Sequence, residues 1–120
     1  MTRSQFVNVI AVAESDDKVK AVGDHGLAAG RFQMHWDWRE DFWPAWAWEC
    51  LALLDRYALE HWLAYNRDGS PRKPATARAL ADLYNLGHQA PDPAYDLRVL
   101  QAMESLGITQ DEYDKIVEGV

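Results

Sequence analysis

The sequence predicts a mainly α-helical, α+β domain with a small glycine-rich β-hairpin or loop inserted around residues 16–34. Three observations carry this. Apolar residues recur at helical spacing in successive stretches of the chain. Three glycines, Gly23, Gly26 and Gly30, crowd the interval after the first of these stretches. The chain has 120 residues, 48% of them hydrophobic and 26% charged, enough for one domain that buries a core without disulfides or structural metal.

Phe6, Val9, Ile10 and Ala13 trace one face of a first helix, with Ser4 as its N-cap and its end near Glu14-Ser15. From Asp16 to Gly30 the glycines demand turns or close backbone approach. Arg31 to Trp43 is aromatic-rich and compatible with one short helix. Pro44 suits the first turn of the next helix, where its missing N–H costs nothing. Ala47, Cys50 or Leu51, Leu54, Ala58, His61 or Trp62, and Tyr65 then mark an apolar face, with Cys50 expected in the core. Asp68-Gly69-Ser70-Pro71 is turn chemistry. Ala77, Leu80, Ala81 and Tyr84 make a further helix closed by Gly87, and Tyr95, Val99, Leu100, Met103 and Leu106 make another ended by Gly107. Thr109 to Glu112 matches a capping box that opens a last short helix with Tyr113, Ile116 and Val117. The expected organisation is one domain over 1–120, with its core at about 4–106 and a helical extension at 107–120.

Charge and cysteine content narrow the function. Twelve Lys and Arg against nineteen Asp and Glu give a net charge of −7. Phosphate binding needs clustered Lys and Arg, and Arg72-Lys73 is the only adjacent basic pair, so nucleic acid is not the expected partner. One cysteine excludes an internal disulfide and a Cys-based zinc site. The four histidines have no H-E-x-x-H spacing, so no metal or cofactor is expected. No apolar run approaches the ~18 residues of a membrane span. Arg3, the stretch Phe6–Ala13 and Ala11-Val12-Ala13 mimic a signal peptide, but the segment is short and Asn8 interrupts it. It reads as structure.

Glu14 is the first candidate for chemistry. It stands where an apolar helix stops and a polar glycine-rich loop begins. Partial burial there disfavours the charged carboxylate and raises its pKa, as a general acid at neutral pH requires. Asp24, between Gly23 and His25-Gly26, supplies a second carboxylate in a different environment. Gly-Asp-x-Gly is equally good turn chemistry.

Glu14-Ser15, then Ala21-Val22-Gly23-Asp24-His25-Gly26, then Gly30-Arg31-Phe32-Gln33-Met34, resembles the signature of the lysozyme-like superfamily. It is most similar to soluble lytic transglycosylases, goose-type lysozymes and their phage relatives. Ala81-Asp82-Leu83-Tyr84-Asn85-Leu86-Gly87 matches the family's later Ala-x-x-Tyr-Asn-x-Gly block, and Tyr95 with Arg98-Val99 matches its downstream helix. The blocks run in family order over most of the chain.

The resemblance implies a lysozyme-like fold and cleavage of the β-1,4 bond between N-acetylmuramic acid and N-acetylglucosamine in peptidoglycan. Glu14 would protonate the glycosidic oxygen. Asp24 aligns with a loop aspartate that goose-type lysozymes use to activate water, whereas a transglycosylase needs only the one carboxyl and lets the sugar's 6-hydroxyl attack. His35 stands where some relatives carry a further Asp. Ser15 would hold the loop and Gln33 would serve the sugar or the loop. Tyr84 would bond the catalytic carboxyl or an N-acetyl group, and Asn85 would fix the loop around Gly87. Both chemistries stay open.

The six tryptophans are too many for one cleft, and core burial accounts for most of them. Trp36 and Trp38, nearest Gln33, are the expected sugar contacts, and His88 follows the Tyr-Asn block. An acidic chain is not drawn by charge to an anionic wall. Action at the bacterial cell wall would then follow delivery in a phage virion or by a secretion apparatus, whose proteins are the other expected partners. A catalytically inactive lysozyme-like component of such an assembly is the alternative.

Overall fold

The computed structural model describes residues 1–35, 42–86 and 92–118. In chain order it contains helix α1 (Arg3–Ser15), strand β1 (Val22–Gly23), a 3₁₀ turn (Asp24–Gly26), strands β2 (Ala28–Ala29) and β3 (Met34–His35), helices α2 (Ala45–Ala64), α3 (Ala77–Leu86) and α4 (Pro93–Ser105), and a second 3₁₀ turn (Gln110–Asp114). The architecture is mainly helical with one small antiparallel sheet, as the periodicity and the glycines predict. No described helix is long and apolar enough to cross a membrane.

Helix α1 opens two residues before the expected cap. Thr2 Oγ1 accepts from the Gln5 backbone N–H, and the Thr2 N–H donates to Gln5 Oε1, which closes a capping box that Ser4 cannot form. The helix ends at Ser15, followed by two left-handed residues, Asp16 (φ 54°) and Asp17 (φ 60°). Short polar side chains tolerate that region better than branched ones. Phe6, Val7, Val9, Ile10, Ala11 and Ala13 are all buried. They pack with Phe32, Leu59, Leu80, Tyr95, Val99 and Met103 in the main core.

The sheet has the order β1-β2-β3, with Val22 opposite Ala29, Gly23 opposite Ala28, and Ala28 opposite His35. It sits where the glycine-rich insertion was expected. Gly30 is left-handed at φ 82°, and a Cβ there would lie 3.1 Å from Asp55 Oδ2 and 3.4 Å from Leu51 Cδ2. Only glycine lets the sheet lie this close to α2. Ala29, Trp48 and Leu51 form a second core cluster at that junction. Residues 34–35 are strand, so a helix over all of Arg31 to Trp43 is not formed.

Helix α2 departs from its expected face. Its buried residues are Trp48, Leu51, Ala52, Asp55 and Leu59, and Cys50 is exposed. The helix is apolar on most sides, so periodicity alone does not choose which stripe turns inward. Pro44 is the N-cap rather than the first helical residue.

Residues 107–118 fold back into the body, as a 3₁₀ turn rather than a regular helix. Tyr113 is fully buried, joins the main core and donates to Asp96 Oδ1. Thr109 makes no side-chain cap, and the Glu112 carboxylate accepts from the Met1 ammonium at 2.6 Å instead of closing a capping box. The Glu118 N–H donates to the Met1 carbonyl, so the two ends of the chain are tied together. Beside Tyr113, burial and then the neighbouring Asp96 push the Asp82 carboxyl up to about 6.

Phe6 touches no solvent, whereas Leu97 on α4 is 56% exposed. Phe6→Ala should therefore cost about 3–5 kcal/mol in urea unfolding. Leu97→Ala should stay within about 0.5 kcal/mol of the parent. Equal losses at both positions would contradict this account of the core.

Candidate active site

The end of α1, the sheet, α3 and α4 enclose a cavity of about 570 Å³. Its lining includes Glu14 from α1, Asp24, Gln33 and His35 from the sheet region, Tyr84 and Asn85 from α3, and Arg98 from α4. Residues far apart in sequence thus converge on one space.

Glu14 projects from the last turn of α1. Its Oε1 accepts a hydrogen bond of 2.8 Å from the Tyr95 hydroxyl. Burial raises its pKa above the ordinary carboxylate range, against smaller opposing effects from the Tyr95 bond and the Arg98 charge. Arg98 is held by donating to the Ala13 carbonyl. Burial also raises the pKa of Tyr95, helped by the nearby Glu14 carboxyl. The phenol therefore stays neutral and acts as a donor. With Tyr95 on Oε1, Oε2 is the oxygen left to carry an acid proton.

Asp24 opens the 3₁₀ turn in the left-handed region, at φ 51°. Its carboxylate is 3.0 Å from His35 Nε2, and both side chains are more than half exposed at the cavity rim. The two carboxyl groups accordingly stand in unlike surroundings, Glu14 desolvated and Asp24 wet.

The other expected site residues divide. Tyr84 lines the cavity, but its hydroxyl donates to the Phe32 carbonyl at 2.5 Å; Tyr95 is the phenol that bonds Glu14. Burial, Glu14 and Asp55 all push the Tyr84 pKa up. Gln33 Nε2 donates to the Ala21 and Gly30 carbonyls, so its amide N–H groups serve the loop. Its Oε1 lies 2.5 Å from where a Cβ on Gly23 would stand, so a side chain there would displace the Gln33 amide. Ser15 Oγ lies 2.7 Å from the Arg31 carbonyl and accepts from the Lys18 N–H, pinning the loop to the helix end. It faces a neighbouring depression that shares Glu14 and Arg98 with the cavity. Asn85 is exposed at the cavity edge. Trp36, Trp38, Gly87 and His88 lie outside the described residues.

Three contributors have roles that the sequence does not show. Tyr95 and Arg98 are three apart on α4 and so share a face, but nothing local shows that this face meets Glu14. Asp55 is fully buried under Gly30 in the middle of an apolar helix. Among the described residues no three His, Cys, Asp or Glu side chains are grouped to hold a metal ion. No family model, curated protein or solved structure matches the chain.

A raised carboxyl pKa weakens the fold as pH climbs from 4.5 toward the folded value, because the unfolded chain releases the proton first. The Tyr95 bond favours the charged form and limits that loss. Tyr95→Phe should therefore shift the Glu14 midpoint further up in a carboxyl ¹³C NMR titration. A midpoint that falls or stands still would refute the role given to Tyr95.

Proposed function

We propose that the chain is a lysozyme-like enzyme that cleaves the β-1,4 bond between N-acetylmuramic acid and N-acetylglucosamine in peptidoglycan. The observation that carries the reading is Glu14, a desolvated carboxyl with raised pKa, opening onto a cavity shared with Asp24, Tyr84 and Asn85. The ordered blocks around Glu14, Gln33 and Tyr84-Asn85 support the same family, since they come together in space.

In this reading Glu14 delivers the proton on Oε2 to the glycosidic oxygen. The C–O bond breaks as positive charge develops on the muramic ring. Tyr95 remains on Oε1 and holds the carboxyl in place, and its neutral hydroxyl stabilises the carboxylate that forms. Arg98 adds a positive charge beside that carboxylate. The cationic centre is then closed by water, which passes its proton to Asp24 and leaves a reducing end, or by the sugar's own 6-hydroxyl, which returns its proton to the Glu14 carboxylate and leaves a 1,6-anhydro end.

The place of Asp24 favours water. It lines the same cavity and lies against His35, in an exposed position from which a carboxylate can orient a nucleophile. Gln33 and Ser15 act behind the site by fixing the sheet against the end of α1. Delivery to the cell wall as part of a virion or beside a secretion apparatus belongs to the same proposal.

Glu14→Gln should lower turnover on purified sacculi by roughly 10²–10⁴-fold, the usual contribution of general acid catalysis. Far-UV circular dichroism should be unchanged. Sacculi cleared at the parent rate would end the assignment, and sacculi untouched by the parent chain would favour an inactive wall component. Mass spectrometry of the released muropeptides, with Asp24→Asn alongside, distinguishes the second step. Reducing ends and a crippled Asp24→Asn mark a hydrolase, and anhydro ends with Asp24→Asn largely active mark a transglycosylase.

A further inference from the structure

Among the described residues, nothing covers an apolar stripe on helix α2. Trp46 is 70% exposed, Leu53 69% and Tyr57 70%, and Cys50 between them is exposed as well. Successive members are four, three and four residues apart, so all four lie on one side of the helix. The opposite side, with Trp48, Leu51, Asp55 and Leu59, faces the sheet and α1. A helix that is apolar on both sides is characteristic of one covered on both sides.

We propose that this stripe is a dimer interface, with α2 packed antiparallel on α2 of a second copy of the chain. Three features select a second copy as the occupant. The four-three-four spacing reads the same in both directions. An antiparallel two-fold pairing therefore sets Trp46 on the partner's Tyr57 and Cys50 on the partner's Leu53, and the reverse, as an isologous contact requires. The charges agree with that register: exposed Glu49 on the flank of the stripe falls near the partner's Arg56, whose guanidinium is held on the same flank by Asn8, Ser4 and Glu60 of its own chain. The area also suffices. Aromatic side chains bury about 150–250 Å² each, so Trp46, Tyr57 and Leu53 with Leu54, His61 and Cys50 around them offer on the order of 600 Å² per copy. Two copies then bury more than the roughly 1,000 Å² expected of a specific interface.

The cavity is lined from α1, the sheet, α3 and α4, with no α2 residue among the described lining. A dimer through the outer side of α2 leaves both cavities open. The inference is independent of the proposed activity, because its readout is mass.

The test is sedimentation equilibrium of the intact chain across a wide concentration range, with Leu53→Glu and Tyr57→Glu measured in parallel. The parent should move from 13.7 kDa toward twice that mass as concentration rises. Each variant should stay at the monomer mass with an unchanged melting temperature, since both side chains are exposed in the single copy. In the proposed register the two Cys50 residues are three positions apart along the axis, about 4.5 Å of rise. A short bis-maleimide should therefore link two parent chains and fail to link Leu53→Glu chains. A parent chain that remains at 13.7 kDa at all concentrations excludes the second copy and leaves the stripe to a different protein. A dimer that survives both substitutions places the interface elsewhere and overturns the proposal equally.

Discussion

The structure depends on burying α1 along nearly its whole length while leaving its last turn at a wall. Phe6, Val9 and Ile10 are fully enclosed, and a helix held this way has no freedom to slide or rotate. Its final residues are thereby delivered to one place. Glu14 emerges half-buried against Tyr95, and Ser15 reaches the Arg31 carbonyl. Desolvation of the carboxyl follows from where the helix must stop.

That constraint passes through the small sheet to the far side of the molecule. Ser15 fixes the Arg31 backbone, Gln33 joins Ala21 to Gly30, and Gly30 lets the sheet settle on Leu51 and Asp55 of α2. The sheet has only two residues in each strand, so its ladder alone cannot hold it. Side-chain bonds and close packing on α2 supply what the ladder lacks. Asp24 inherits its place from that brace. The same α2 that supports the sheet with one side turns Trp46, Leu53 and Tyr57 outward with the other. It is both a scaffold for the site and the surface through which a second copy is proposed to bind.

Catalytic character, in the proposed reading, comes from contrast rather than from any unusual residue. Glu14 is desolvated and braced by a neutral phenol, while Asp24 is wet and paired with His35. Two carboxyl groups of like intrinsic acidity thus meet unlike surroundings, and burial raises the pKa of Glu14. The Asp82–Asp96 pair beneath Tyr113 follows the same physics, and there it joins the C-terminal segment to the core. A shifted carboxyl acquires chemical meaning only where a substrate can reach it.

Local signals in the sequence determined the four α-helices, because apolar spacing, Gly107 and the turn at Asp68-Gly69 act over a few residues. They did not determine the stretch from Arg31, where strand intervenes, or the last turn, which is 3₁₀. They also located the insertion and marked Glu14 and Asp24, while the resemblance to the lysozyme-like superfamily marked Gln33, Tyr84 and Asn85. Tertiary structure alone decided which partners those residues have. Periodicity could not show that α2 turns Trp48 and Asp55 inward and Cys50 outward, since an all-round apolar helix has no preferred face until neighbours cover one. Nor could it show that Tyr95 rather than Tyr84 bonds Glu14, or that Glu112 leaves Thr109 for the Met1 ammonium. Those contacts join residues tens of positions apart, and they exist only once the packing of α1 has brought the segments together.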